Sequence, residues 1–447
     1  MGVQFGTDGI RGVANAELGA ELVLALGRAA ARALPASCFL VGRDTRRSGP
    51  LLQAALSAGL ASEGADVVDL GVLPTPAVAW HAAHRRVPAA VVSASHNLFT
   101  DNGVKLFAAG GLKLPDAAEE QIEAELERVL HGEPVASPLT GHGVGRLTAE
   151  PDAAAGYVDH LVGVLEGRDL GQMRVVVDAA NGAAFEVAPA VLRRLGAEVH
   201  TLSCEPDGAN INDGCGSTHP ERLADEVVRT GAEVGLALDG DADRLLAVDH
   251  TGAITSGDEL LALFAADLRD RGRLRGNAIV VTVMSNLGLR LAMDELGVAV
   301  RDTPVGDRYV LEALDGEGLV LGGEQSGHLV FRDLATTGDG VMTGLLLLDL
   351  VRRRGRPLAE LARGAMQRLP QVLVNVAVPR PAETVALPTV QAEVAEVEAE
   401  LGARGRVVLR ASGTEPLVRV MVEASDEQTA RAAAGRLSAA VERAHRN

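Results

Sequence analysis

Short apolar runs recur along the chain, each followed by a polar segment and then a helical pattern. Phe39–Val41 leads into Gly42-Arg43-Asp44-Thr45-Arg46, Val175–Val177 into Asp178-Ala179-Ala180-Asn181-Gly182, and Ile279–Val283 into Met284-Ser285-Asn286-Leu287-Gly288. Each predicted helix ends near a glycine that precedes a short strand: Gly64 before Asp66–Leu70, Gly196 before Glu198–Leu202, Gly297 before Val298–Val300. Glycine there closes a helix in the left-handed conformation without a Cβ clash. Strand, helix and strand at this length predict parallel strands joined by crossovers. The pattern therefore predicts an α/β protein with three similar domains built on mixed, largely parallel sheets.

Each unit carries a further apolar run that ends in a chemically loaded loop. The strand Ala89–Val92 precedes Ser93-Ala94-Ser95-His96-Asn97, Val234–Leu238 precedes Asp239–Arg244, and Leu319–Leu321 precedes Gly322–His328. Ligands of open α/β sheets bind at the carboxyl ends of strands, so three equivalent loops are expected to face one central cleft. The tail differs. Strands are predicted at Gln371–Val378, Val407–Leu409 and Leu417–Val422, with helices at Thr384–Leu401 and Asp426–His445. This is a small α+β domain whose loop Arg410–Arg419 joins two strands. Glycine- and proline-rich stretches at Gly132–Gly145 and Gly364–Pro370 read as linkers, so the expected domains are residues 1–135, 150–252, 253–368 and 369–447. Gly141-His142-Gly143-Val144-Gly145 lacks the third glycine of a dinucleotide motif and follows no predicted strand.

Composition narrows the function classes. Hydrophobic residues make up 47% and charged residues 23% of 447, as in a soluble globular protein. A net charge of −18 disfavours nucleic acid and an anionic membrane as partners, and 2% aromatics weakens any reading based on base stacking. Three cysteines without a C-x-x-C suit a reducing compartment. The N-terminus has no apolar signal region, and the longest apolar stretch, near Leu345–Leu348, is broken by Asp349. A cytoplasmic protein is expected. Among 42 Lys+Arg only Lys105 and Lys113 are lysines. An ammonium can release its proton and a guanidinium cannot, so a lysine close to the serine loop suggests a need for that property.

A serine at a strand end beside His96 and Asn97 reads as a reacting hydroxyl held by polar neighbours. Strand alternation puts Ser93 and Ser95 on the same face, so spacing leaves both open. Asp101-Asn102-Gly103 reads as a turn that returns Lys105 toward the serine; Lys113, after Ala108-Ala109-Gly110-Gly111, reads as solvated. Asp239, Asp241 and Asp243 alternate after an apolar strand, with Arg244 next. Carboxylates about 4 Å apart repel by about 4 kcal/mol at an effective dielectric near 20. Oxygen ligands of that kind favour a hard divalent ion, Mg²⁺ most simply, one per chain. An EF-hand is excluded, since its glycine position holds Arg244 and its final glutamate position His250. Arg410, Ser412, Gly413, Thr414 and Arg419 suit phosphate. Thr7, Asp8, Gly9, Arg11 and Gly12 form another polar loop, where Arg11 can face an anion. Glu324, Ser326 and His328 suit sugar hydroxyls. The combined chemistry is phosphoryl transfer on a sugar phosphate.

Five motifs in order, FGTDGIRG, SASHN, DGDADR, GEQSGH and RASGTEP, span essentially the whole chain. In them the sequence resembles the α-D-phosphohexomutase superfamily. NINDGCGSTHPE at Asn210–Glu221 and GDRYV at Gly306–Val310 resemble its bacterial phosphoglucosamine branch, while GEQSGH is close to the form of dual-specificity phosphomannomutase/phosphoglucomutases. The resemblance implies four domains around a cleft and a phosphoryl group carried on Ser95; the residue reading adds His96, Lys105 and Arg11 as catalytic candidates beside it. It implies Mg²⁺ held by the Ser95 phosphate, Asp239, Asp241 and Asp243, a clamp on the substrate's 6-phosphate by Arg410, Ser412, Thr414 and Arg419, and ring hydroxyls bound by Glu324 and Ser326. Glucosamine 6-phosphate would become glucosamine 1-phosphate through a 1,6-bisphosphate, of glucosamine or glucose when it acts as activator, feeding UDP-N-acetylglucosamine and cell-wall synthesis. Leu98 stands where the family usually has proline. A homodimer is compatible with the resemblance. Two other readings are a phosphomannomutase/phosphoglucomutase and a non-catalytic sugar-phosphate-binding regulatory protein. The intact serine, aspartates and lysine argue against the second.

Overall fold

The computed structural model describes residues 5–6, 9–132, 139–412 and 416–446. They form four sheets of seven, five, four and three strands. The first three share one core topology. In the first sheet Cys38–Arg43 lies between Asp66–Val72 and Ala89–Val92, parallel to both, and Asp101–Ala108 returns antiparallel beside Ala89–Val92. Arg174–Asp178, Glu198–Leu202, Val234–Leu238 and Leu245–Asp249 repeat that order in the second sheet. Ala278–Thr282, Ala299–Thr303, Leu321–Gly323 and Leu329–Phe331 repeat it in the third. In each sheet the loop that closes the antiparallel pair is a loaded one: SASHN, DGDADR or GEQSGH. Equivalent hairpin loops thus leave equivalent strand ends.

Gly297 closes the helix Leu287–Leu296 at φ 67°, as its position predicts. The tail pairs Gln371–Ala377, Leu417–Glu423 and Arg406–Ala411 antiparallel, against Pro388–Leu401 and Glu427–Arg446. The helix expected over Thr384–Leu401 is broken into Pro381–Ala386 and Pro388–Leu401. Pro388 drives Leu387 to ψ 134°, out of the helical region. Asp101-Asn102-Gly103 is no turn: these residues open the strand Asp101–Ala108, and the chain reverses just before them, where Asn97 N–H donates to Ala94 O and Asp101 N–H to Leu98 O. Beyond residue 138, the expected linker packs on the first domain and leads into its sheet. Gly145 N–H donates to Ala61 O, and Leu147–Ala149 pairs parallel with Asp66–Val72.

One apolar cluster runs through the first three domains, from Leu40 and Val91 through Tyr157, Val177 and Leu238 to Leu321 and Leu345. The tail has a separate core of Val376, Val407, Val420 and Leu437. The helix Gly340–Arg354 packs on the second sheet and against the helix Gly257–Asp270, and its first N–H donates to Ala242 O of the DGDADR loop. A Cβ at Gly340 would stand 2.3 Å from Arg244 O, so only glycine permits that approach.

Candidate active site

Ser95 follows the strand Ala89–Val92 with φ 50°, in the left-handed region that a side chain occupies under strain. Its hydroxyl donates to Asp239 Oδ2 at 2.7 Å and lies 3.4 Å from His96 Nδ1. The Ser93 hydroxyl points elsewhere. It donates to Asp44 Oδ2 at 2.6 Å and accepts the Ser95 N–H at 3.0 Å. Of the two serines that spacing leaves open, only Ser95 Oγ faces the aspartates.

Asp239, Asp241 and Asp243 are buried and offer oxygens within 4.8 Å of one another. Burial and the charges of Asp243 and Asp241 push the Asp239 carboxyl well above the usual range. Asp243 goes the other way: burial pushes it up, but Lys105 and His328 outweigh burial and hold it low. Lys105 Nζ donates to Asp241 Oδ2 at 2.8 Å and lies 3.5 Å from Asp243 Oδ2. Thr75 Oγ1 also donates to Asp241 Oδ2, at 2.7 Å. Asp241 Oδ1 and Asp243 Oδ1 are buried and accept no hydrogen bond among the described residues. Three converging carboxylates, two of them with an unpartnered oxygen, fit a hard divalent cation.

A cavity of about 430 Å³ opens over this cluster, lined by Arg11, His96, Asp243, Arg244, Asp307, Glu324 and His328 together with three glycines and Val305. Arg11 comes from Ile10–Val13 at the edge of the first sheet, and its Nη1 donates to Ala94 O at 3.4 Å. Burial, with Arg244 and Arg11 nearby, lowers His96 to about 4, so its ring is neutral near pH 7. Glu324 accepts the Gly306 N–H at 3.1 Å, and Ser326 Oγ lies 3.4 Å from its other oxygen. His328 is buried between Asp243, 3.6 Å from Nδ1, and Asp307, 3.7 Å from Nε2. Burial lowers its pKa, but the two carboxylates outweigh that and raise it. Lys113 is not solvated: it pairs with Asp307, so it ties the first domain to the third.

The structure brings together Ser95, His96, Arg11, Lys105, the three aspartates, Arg244, Glu324, Ser326 and His328. Among the described residues, none that lines the cavity comes from the fourth domain. There Arg410 and Arg419 sit opposite each other across a hairpin, and burial together with Arg419 lowers the Arg410 pKa. Ser412 N–H donates to Leu417 O. Gly413 and Thr414, like Thr7 and Asp8, lie outside the described residues. Sequence reasoning missed Thr75, whose partner is 166 residues away, and Asp44, which stood in a quoted segment without a role. The one local signal for Asp44 was its place at the end of a strand.

Comparison with known proteins places this geometry. Models of the phosphoglucomutase/phosphomannomutase alpha/beta/alpha domains I, II and III match residues 2–132, 155–252 and 256–369, and the C-terminal domain model matches 373–440. A phosphoglucosamine mutase of Streptomyces griseus is 54% identical, over 99% of this chain and 100% of that protein. A crystal structure of a phosphoglucomutase/phosphomannomutase family protein from Burkholderia thailandensis superposes with a TM-score of 0.80 at 29% identity, covering 98% of this chain and 97% of that one. The Aspergillus fumigatus N-acetylphosphoglucosamine mutase, solved with GlcNAc-6P and magnesium, shares the fold at a TM-score of 0.69 and 18% identity, over 99% and 96% of the chains. Four domain models in order and a relative this similar over its full length leave one conclusion: the chain belongs to the phosphoglucomutase/phosphomannomutase family, on its phosphoglucosamine mutase branch, and is an isomerase that transfers a phosphoryl group.

Proposed function

We propose that the chain interconverts glucosamine 6-phosphate and glucosamine 1-phosphate by way of a phosphoryl group on Ser95. The observation that supports this most is the contact between Ser95 Oγ and Asp239, beside two aspartates with unpartnered oxygens. Asp239, Asp241 and Asp243 would hold Mg²⁺, together with an oxygen of the Ser95 phosphate. When bound, the ion neutralises charge on the phosphoryl oxygens. Arg11 and Arg244 face the same cavity and add positive charge. Lys105 steadies the transferring group and exchanges a proton with the sugar hydroxyl that attacks. Glu324 and Ser326 orient the ring through its hydroxyls, with His328 behind them. Arg410, Ser412, Gly413, Thr414 and Arg419 clamp the phosphate that does not react. The Ser95 phosphoryl passes to the C1 hydroxyl, giving a 1,6-bisphosphate. That intermediate turns over, and its 6-phosphoryl returns to Ser95.

Domain limits of 1–135, 150–252, 253–368 and 369–447 belong to this reading. So do a cytoplasmic location and small sugar phosphates as partners; among the described residues no helix is long and apolar enough to cross a membrane. The form of the GEQSGH loop also admits glucose and mannose phosphates as substrates. Steady-state turnover of glucosamine 6-phosphate, glucose 1-phosphate and mannose 1-phosphate, with mass-spectrometric mapping of phosphate, tests the proposal. Preference for the glucosamine substrate and phosphate on Ser95 are expected. Phosphate on Ser93 with an active Ser95→Ala variant would overturn the residue assignment. Preference for mannose phosphate would overturn the substrate.

A further inference from the structure

The left-handed backbone at Ser95 aims Oγ at Asp239, and that conformation needs support. The support comes from two side chains that the mechanism does not use. Arg46 Nη2 donates to Ser95 O at 2.9 Å and to Asn97 O at 2.8 Å. Asn212 Nδ2 donates to the same two carbonyls, each at 2.8 Å. Arg46 Nη1 reaches on to Leu98 O and Asp101 O, so one guanidinium holds four carbonyls of the hairpin loop. Carbonyl oxygens that converge this way repel unless donors stand between them. Both donors are buried, Arg46 at 1% exposure and Asn212 at 2%.

The two donors come from different domains. Arg46 belongs to the first, where Asp44 Oδ2 fixes its Nε at 2.8 Å and also accepts the Ser93 hydroxyl. Asn212 belongs to the second, where its own backbone is left-handed at φ 57° and its N–H donates to Ala180 O. The domains are pinned beside the clamp by Thr45 Oγ1 on Asn181 O at 2.5 Å and Arg47 N–H on Gly208 O at 2.8 Å. Gly240 leaves room for it: a Cβ there would stand 2.6 Å from Ser95 O and 2.7 Å from Asn212 Nδ2.

We propose that Arg46 and Asn212 are positioning residues that form a clamp across the domain junction and set the direction of Ser95 Oγ. The proposal rests on the phosphoserine reading above. Its consequence is that the serine is competent only while the second domain's 203–216 loop is docked on the first domain. Neither residue touches the reacting atoms or lines the cavity. The clamp should therefore act on kcat and spare KM.

The test uses the full chain. Asn212→Gly removes the donor yet tolerates the left-handed backbone, and Thr45→Val removes one hydroxyl at the junction. Asn212→Gly should lower kcat by about 10²-fold, the scale of a small misplacement of a reacting group, with KM nearly unchanged. Its melting temperature should stay near that of the unaltered protein, and the ³¹P resonance of its phosphoserine should shift. Thr45→Val should lower kcat by about fivefold, the worth of one neutral hydrogen bond. If Asn212→Gly does not fold, Thr45→Val carries the test, and unchanged kcat there overturns the clamp. Phosphate mapped to Ser95 with unchanged kcat and ³¹P resonance in folded Asn212→Gly overturns the clamp alone. No phosphate on Ser95 in the unaltered protein overturns the phosphoserine reading and the clamp with it.

Discussion

Lys113 of the first domain and Asp307 of the third form an ion pair across the cleft, with side chains only 14% and 11% exposed. Asp307 also lies 3.7 Å from His328, which faces Asp243. A residue that reads as solvated in the sequence thus braces the side of the cavity. Lys113→Ala leaves a largely buried carboxylate short of its cation. Its KM for sugar phosphate should rise about tenfold, about 1.4 kcal/mol, with a small change in kcat. Lys113→Arg keeps the charge and should stay within about threefold in KM, below the 1.4 kcal/mol that a tenfold change represents. Equal KM values for Lys113→Ala and the unaltered protein would show that the ion pair does not shape the cavity.

Lys105 sits where substitution by arginine is not conservative. Its side chain is 4% exposed, wedged against Asp241 and Asp243. A guanidinium is larger, planar and unable to give up a proton. Lys105→Arg should lose at least about tenfold in kcat, about 1.4 kcal/mol in the barrier. Steady-state kinetics decide it: an unchanged kcat would make Lys105 a plain counter-charge.

Arg410 should act on binding. Arg410→Ala removes one of the two guanidinium groups that face each other near the turn of the fourth domain's hairpin, a charge-assisted contact worth about 1.5–3 kcal/mol. KM should rise roughly ten- to a hundredfold while the melting temperature holds. A normal KM would remove the clamp role from this loop.

Asp339 gives a pH prediction for stability. Burial raises its carboxyl to about 6 from 3.8, although the Met342 N–H and the Tyr157 hydroxyl favour the anion. The folded state therefore prefers the protonated form. That contribution is present in full below about pH 4 and is lost as pH rises through about 6, an amount on the order of 3 kcal/mol. Asp339→Asn keeps the helix cap and cannot titrate. The difference in melting temperature between the two proteins should change across this pH window. A constant difference would mean that Asp339 does not titrate there.

Much of this arrangement was legible locally. The three strand–helix–strand units and their loops follow from apolar spacing and from glycines such as Gly297, because helix and strand periods are properties of neighbouring residues. Asp239, Asp241 and Asp243 could be read as a cation site from charge and spacing alone, since like charges so close need a counter-ion. Tertiary structure decided what depends on distant partners. Nothing near Lys113 announces Asp307, and nothing near Thr75 announces Asp241. Spacing could not separate Ser93 from Ser95, because strand alternation would put both on one face; in the structure Asp44 takes the first hydroxyl, and a left-handed backbone turns the second toward Asp239. The reversal before Asp101 was misplaced because Asp-Asn-Gly favours turns locally, whereas antiparallel pairing with Arg11–Val13 holds these residues extended. Local sequence sets the elements and the loops they carry. Which side chains meet is settled by packing between segments far apart in the chain, and no local pattern encodes it.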